Sequence, residues 1–411
     1  MSTTAEHGGV QSTTVTQIQG RGRAVIASKP LKAGEIVLKD SPVLLYSALP
    51  LNPRRGGAVY CSHCFKTLPN PNPPSALPCP LCSSSALFCS PACQSTALQS
   101  SHTPWACQTL TRLRNFPPLR TEELQVQARF LVAAYNLSRV SPSDFQRVWG
   151  LDGGWSGCQL DADAIFLHSL ITSLCDGESQ REVTSFFTVE VTAALLAKDR
   201  ANAFGLMEPF GDKGDRSVRA YGIYPNASFF NHDCLPNACR FDYVDSDSSG
   251  AAAANGSVCN TDVVVRLIHD VPQGREICLS YFPVNLKHSE RQQRLKEDYG
   301  FTCTCDRCNV EANWSDNEEE EEEEEEAMEE DNDELMVDED DGVKEGEESA
   351  FPHAYFFLRY MCNRENCWGT LAPLPPSNGT PSSVMECNVC GNLKKNDDEG
   401  GMDGDDALEE E

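Results

Sequence analysis

Twenty cysteines in 411 residues, most of them paired at short intervals, constrain this chain more than any other feature. Between residues 61 and 107 the order is Cys61-x2-Cys64, Cys79-x2-Cys82, Cys89-x3-Cys93, then His102 and Cys107. A short Cys-x2-Cys turn brings two thiolates to one ion, and zinc takes four Cys or His ligands in a tetrahedron. Eight ligands make two ions, and in so small a segment the metal supplies most of the folding energy. Cys303-x-Cys305-x2-Cys308 offers three more thiolates. It needs a fourth from Cys234, Cys239, Cys259 or Cys278, or else it binds nothing. Cys362-x4-Cys367 and Cys387-x2-Cys390 make two further pairs, enough for one more ion, and Gly391 allows a tight turn after them. Cys158, Cys175, Cys239, Cys259 and Cys278 read as buried core thiols.

Clustered cysteines read as metal ligands only where disulfides are disfavoured. The first residues, Met1-Ser2-Thr3-Thr4-Ala5-Glu6, show no basic or apolar leader pattern, and no apolar run nears the ~18 residues of a membrane span. An intracellular chain is expected, with no membrane contact. No basic import cluster chooses between nucleus and cytoplasm. The net charge of −29 is concentrated. Residues 311–349 hold 23 Asp/Glu against one Lys, and 397–411 hold nine Asp/Glu and no base. The remainder is near neutral. Direct nucleic-acid binding is disfavoured by such tails, whereas a Lys-rich protein is attracted.

Along the chain, 1–16 is polar and reads as disordered. Val25-Ile26-Ala27 and Ile36-Val37-Leu38 read as strands around the turn Lys32-Ala33-Gly34. Over 108–200, Leu110, Leu113, Val126, Leu131, Ala134 and the run from Val189 to Ala197 recur at helical spacing. Strands and turns return over 202–283. A charged helix carrying Arg291, Arg294 and Lys296 is expected at 285–300. The acidic run has too few apolar residues to bury a core.

Several short motifs then fall in a fixed order. They are Gly20-Arg21-Gly22-Arg23-Ala24-Val25, the cysteine module, Asn202-Ala203-Phe204-Gly205 and Tyr221-Gly222-Ile223-Tyr224-Pro225. Next come Asn231-His232-Asp233-Cys234-Leu235-Pro236-Asn237, then Glu276-Ile277-Cys278-Leu279-Ser280-Tyr281 as an apolar strand ending in tyrosine, and the Cys303–Cys308 triplet. Alone, an Asn-His pair is more often a turn than a site, and Gly-x-Gly a flexible turn. Together and in this order they resemble SET-and-MYND-domain (SMYD-type) protein-lysine methyltransferases, and most nearly the plant Ash-related members. Like those, this chain leaves no room after Cys308 for a long helical repeat domain.

The resemblance implies an α+β, mostly-β SET fold with a pseudoknot-like crossing, which nothing else in the sequence suggests because threaded chains are rare. It divides the chain into a disordered 1–16, an N-terminal SET part at 17–60 and a MYND zinc finger at 61–107. A helical insert at 108–200, a catalytic core at 201–283 and a post-SET segment at 284–309 follow. An acidic disordered linker at 310–350, a zinc-ribbon-like module at 351–392 and an acidic tail at 393–411 complete it.

It also implies interleaved ligation, with Cys61, Cys64, Cys89 and Cys93 on one zinc and Cys79, Cys82, His102 and Cys107 on another. Cys234 becomes the fourth ligand of Cys303, Cys305 and Cys308. Phe204, Tyr281 and Tyr299 are implied as the catalytic channel. Gly20, Arg21, Gly22, Asn202, Asn231, His232, Tyr281 and Phe301 are implied around S-adenosylmethionine. The chemistry is consistent with those residues, because methyl transfer to lysine needs a neutral amine and an apolar aromatic channel favours one. The implied substrate is a lysine-bearing protein, a histone tail or another. Gln94 and Trp105 stand where relatives bind proline-rich peptides. The alternative is a zinc-dependent MYND adaptor or transcriptional regulator with a degenerate SET domain. Intact Asn231, His232 and Tyr281 favour the enzyme.

Overall fold

The computed structural model describes residues 12–51, 58–69, 76–82, 85–116, 119, 121–153, 161–175, 177, 185–211, 216–245, 259–312, 353–377 and 379–395. Nearly all of the expected acidic linker and most of the acidic tail lie outside them, as do residues 1–11.

A hairpin comes first. β1 (Thr13–Ile18) pairs with β2 (Gly22–Ala27) from Thr13↔Ala27 to Ile18↔Gly22. β1 therefore begins inside the 1–16 stretch expected to be disordered. Its run of Thr13, Thr14, Val15 and Thr16 is β-branched, which suits extended backbone even where the side chains face solvent. β3 (Ile36–Asp40) does not pair with β2 across the Lys32-Ala33-Gly34 turn. β4 (Leu44–Ser47) follows.

The cysteine module contains two small hairpins, β5 (Val59–Tyr60) with β6 (Thr67–Leu68) and β7 (Leu77–Pro78) with β8 (Leu87–Phe88). Its helix α1 (Pro91–Gln99) is capped by Ser90, whose hydroxyl accepts from Cys93 N. α2 (Pro104–Arg114) starts the same way on Thr103 and Pro104. It holds Cys107 in the module's core and runs on to Arg114 without a break.

The insert continues as α3 (Glu122–Val140), α4 (Pro142–Trp149), α5 (Ala162–Leu174) and α6 (Val189–Asn202). Leu113, Phe130, Leu131, Tyr135, Leu167 and Ile171 form its core and pack on Tyr46 of β4. α6 runs past the expected end at 200, so Asn202 closes a helix. β9 (Ala203–Met207) and β10 (Val218–Ile223) make the sheet β4-β10-β9. After a 3-10 turn at Ala227–Phe229, β11 (Ala238–Asp242) and β12 (Val263–Leu267) form the sheet β11-β12-β3. Asp40 at the end of β3 braces that turn by accepting from Asn226 N (3.0 Å), Asn226 Nδ2 (2.9 Å) and Ala227 N (3.0 Å).

α7 (His288–Tyr299) stops at Gly300, where φ is +77°. α8 (Asp306–Glu311), α9 (Ala354–Tyr360) and the sheet of β13 (Leu371–Pro373), β14 (Val384–Cys387) and β15 (Leu393–Lys395) complete the fold. This last module is docked on the β11-β12-β3 sheet. Fully buried Arg266 of β12 pairs with Glu386 of β14 at 2.8 Å and lies 3.8 Å over the Phe241 ring. Gly34 has φ +81°, and a Cβ there would stand 2.5 Å from Leu374 O. No helix among the described residues is long and apolar enough to cross a membrane.

Candidate active site

The 231–237 and 276–281 segments lie side by side, locked by backbone hydrogen bonds. Leu279 N donates to Asn231 O (3.0 Å), Asp233 N to Leu279 O (2.9 Å) and Ala238 N to Cys278 O (3.2 Å). Asn237 closes the join. Its Nδ2 donates to Glu276 O at 2.8 Å, and its Oδ1 accepts from Cys278 N at 2.8 Å. The strand expected at 276–281 is instead an extended segment with single bridges, Ile26↔Glu276 on one side and His232↔Leu279 on the other. It is shared between two partners, so no regular ladder forms.

Two side chains complete the crossing. His232 is buried, and burial pulls its pKa down to about 4, so the ring is neutral and Nδ1 accepts from Tyr281 N at 3.1 Å. The Tyr281 hydroxyl donates to Phe230 O at 3.1 Å. Burial raises its pKa further above the usual phenol range, so it keeps its proton at neutral pH.

Phe204, Tyr281 and Tyr299 line one cavity of about 490 Å³. The Tyr281 and Tyr299 rings are 4.8 Å apart, and burial raises the Tyr299 phenol as well. Phe204, on β9, meets Tyr224 edge-on at 5.6 Å and carries the Arg240 guanidinium 5.4 Å from its centroid. An amine entering this space loses water on several sides.

The residues expected around the cofactor form a polar cluster beside the crossing. Arg21 Nε is 3.0 Å from Glu276 Oε2, and Arg21 Nη2 donates to His232 O at 3.1 Å. Asn231 Nδ2 donates to Glu276 Oε1 at 2.8 Å. Glu276 is thus the hub of the cluster. In the sequence it reads only as the first letter of the tyrosine segment. Gly20 and Gly22 hold φ of +78° and +76° in the β1–β2 turn, and nothing lies within 4 Å of where a Cβ on Gly20 would stand. Phe301 is 38% exposed, with its ring 6.5 Å from His232. A partly exposed ion pair next to an exposed flat ring suits a ligand with a zwitterionic end and an aromatic base.

Asn202, at the end of α6, meets the Gly22 turn through Asp152. It lines the Tyr281 cavity, and its Nδ2 donates to Asp152 O (2.6 Å) and Lys198 O (2.8 Å). Asp152 in turn faces the Gly22 turn, with Oδ2 3.8 Å from Arg23 Nη2. The sequence reading missed Asp152. The Leu151-Asp152-Gly153 turn after α4 was the available signal.

The cysteines gather as four groups whose ligand atoms all lie within 4.8 Å of one another. They are Cys61, Cys64, Cys89 and Cys93; Cys79, Cys82, His102 and Cys107; Cys234, Cys303, Cys305 and Cys308; and Cys362, Cys367, Cys387 and Cys390. Sulfur pairs such as Cys64–Cys89 (3.6 Å), Cys79–Cys107 (3.9 Å), Cys234–Cys308 (3.4 Å) and Cys367–Cys387 (3.6 Å) approximate the ~3.8 Å edge of a tetrahedron with Zn–S bonds of ~2.3 Å. Of the four choices for the post-SET triplet, Cys234 is the one brought to it.

Buried arginines surround that third group. Arg291 Nη2 lies 3.8 Å from Cys308 Sγ and 2.5 Å from Glu311 Oε2, and Arg307 Nη1 donates to Val284 O at 2.6 Å. Four thiolates on a divalent ion leave a net negative charge that such arginines offset. Of the leftover thiols, Cys175, Cys239 and Cys278 are buried. Cys259 is exposed, contrary to expectation, at the mouth of a turn rather than in the core. Cys158 lies outside the described residues. Trp105 packs against the helical-insert core under Arg139, and Gln94 Nε2 donates to Pro78 O at 2.8 Å.

A SET-domain family model matches residues 22–282. Histone-lysine N-methyltransferase ASHR2 of Arabidopsis thaliana is 49% identical, over 93% of this chain and 95% of that protein. The chain belongs to the SET-domain family. Histone-lysine N-methyltransferase SMYD3 of Homo sapiens is 22% identical over 72% of this chain and 61% of that protein. The solved SET domain of LSMT bound to lysine and AdoHcy aligns over 71% of this chain and 53% of that one, at 12% identity and a TM-score of 0.29, too loose a superposition to describe this site. The SET match ends at Phe282, directly after Tyr281. Tyr299, Phe301, the Cys303–Cys308 triplet and the C-terminal module all lie beyond it.

Proposed function

We propose that this SET protein is an S-adenosylmethionine-dependent protein-lysine N-methyltransferase. The observation that carries the reading is the protonated Tyr281 phenol, fixed at the crossing and facing the cavity of Phe204 and Tyr299. S-adenosylmethionine, when bound, supplies an electrophilic methyl on a sulfonium. Arg21, Glu276 and Asn231 would hold its amino-acid end, with Gly20, Gly22 and Phe301 beside them. Asn202 lines the cavity and holds the Asp152 carbonyl beside the Gly22 turn.

The protein's remaining work is on the lysine. Phe204, Tyr281 and Tyr299 enclose the side chain and strip water from the amine, lowering a pKa that is ~10.4 in water. Alignment of a neutral nitrogen with the methyl group then accounts for most of the rate. The Tyr281 hydroxyl orients that nitrogen and does not deprotonate it. Neutral His232 keeps Tyr281 in place through its backbone N–H. Each of the four cysteine groups would hold a structural zinc ion. The substrate class is a protein lysine, in a histone tail or another protein, as the names borne by the relatives suggest.

The test is methyl-labelled S-adenosylmethionine with core histones and a cell lysate, read by mass spectrometry. Wild type labels a lysine. Tyr281→Phe binds the cofactor and retains its zinc but loses roughly a hundredfold or more of turnover. Labelling equal in both proteins, or none with wild type, overturns the proposal.

A further inference from the structure

The cavity that holds Tyr281 has a wall the SET match does not contain. Trp368, Thr370, Asn388 and Val389 of the C-terminal cysteine module line it together with Phe204 and Tyr299. This wall is built rather than hung on a tether. Asn388 Nδ2 donates to Arg240 O at 3.2 Å, and its Oδ1 accepts from Thr370 N at 2.8 Å. Arg240 is the guanidinium over Phe204. Behind them, buried Arg266 and Tyr243 both reach Glu386, at 2.8 Å and 3.2 Å.

The cysteine cluster sets the two lining loops against each other. Cys367 immediately precedes Trp368, Cys387 immediately precedes Asn388, and their sulfurs are 3.6 Å apart. Gly369 makes the approach possible, since a Cβ there would fall 2.8 Å from Val389 Cβ. Trp368 is left 55% exposed at the cavity. The lining charges are mostly positive, because Asp242 is already paired with Arg240 at 2.8 Å and Arg216 and Arg294 line the same space.

We propose that the C-terminal four-cysteine module is part of the acceptor site, with Trp368 and Val389 forming an apolar subsite for a residue flanking the methylated lysine. It selects an apolar or aromatic side chain there over a basic one. Trp368 supplies a rigid aromatic face at low entropic cost, and the positive lining disfavours Arg or Lys beside it. This rests on the methyltransferase reading.

The experiment uses the full chain with methyl-labelled S-adenosylmethionine and single-lysine peptides in which Leu, Phe, Ala, Arg or Asp is placed at one flanking position at a time. Wild type prefers Leu or Phe to Arg about tenfold in kcat/KM at one position. Trp368→Ala raises KM for the preferred peptide about tenfold and flattens the preference, while saturated kcat, cofactor affinity and zinc content stay within twofold. Trp368→Phe retains most of the preference. An unchanged KM and profile in Trp368→Ala overturns the inference and leaves the enzyme reading standing. Loss of zinc or of cofactor binding in that variant overturns it in favour of a purely structural tryptophan. A wild type that methylates none of the peptides, histones or lysate proteins overturns the methyltransferase reading, and this inference with it.

Discussion

Between α3 and α6 the chain folds around Phe130, Leu131, Tyr135 and Ile171, each at most 1% exposed, and none of the four cysteine groups draws a ligand from it. Between residues 231 and 311 the interior is different. There Cys234, Cys303, Cys305 and Cys308 share space with Arg291, Arg307, Glu311 and His232, all of them buried. Apolar periodicity is enough to specify the helical region, because each helix needs only its neighbours. The crossing needs a ligand set gathered across 69 to 74 residues, and its polar groups are tolerable only when every charge has its counterpart. The first region should fail by degrees and the second all at once.

The largest effect is expected at Cys308. Cys308→Ser leaves Arg291 beside a broken cluster and frees the segment carrying Tyr299 and Phe301. Methyl transfer should fall roughly a hundredfold or more and one zinc per chain should be lost, while the far-UV helical signal stays. Loss of helix in step with activity would mean that the two regions are one cooperative unit.

Leu131→Ala is the converse. It should cost about 2–5 kcal/mol in chemical denaturation by opening a cavity in a packed core, with zinc content and cofactor affinity kept. Zinc release from the folded variant would break the contrast.

The smallest effect is a pH dependence. Burial pushes Asp199, which accepts a hydrogen bond from the Tyr46 hydroxyl, up to about 7. A carboxyl raised in the folded state stabilises fully below its unfolded pKa of ~4, and that contribution is lost as pH rises through about 7. Stability should therefore drop by about 1 kcal/mol between pH 6 and pH 8 from this group. Asp199→Asn should remove that slope, and equal slopes in denaturant titrations of the two proteins would exclude Asp199 as its source.

Much of this was legible from spacing. Short Cys-x2-Cys intervals located the ligand pairs, and apolar recurrence over 108–200 located the helical insert. The Tyr281 segment and the Asn-His segment were legible through family resemblance, since no local pattern states that two stretches forty residues apart touch. Glu276 escaped notice because its role depends on Arg21 and Asn231 converging from elsewhere. The pairing of β3 was misread for a similar reason: a nearby turn suggested a hairpin, whereas the strand's apolar face matches β12, with Leu38 opposite Val265. Tertiary burial overrode the local signal. Trp368 could not be placed from its own surroundings, because the module docks through distant partners such as Arg266 with Glu386 and Asn388 with Arg240 O, which no local pattern announces.

That distant pairing of β3 has a consequence during synthesis. The β1–β2 hairpin and the 61–107 module can close as soon as they leave the ribosome. The edge of β3 must wait until β12 is made, 227 residues later by the Leu38↔Val265 register. At about 5–20 residues per second that is roughly ten to forty-five seconds, during which an unsatisfied sheet edge is open to chaperones and to neighbouring nascent chains.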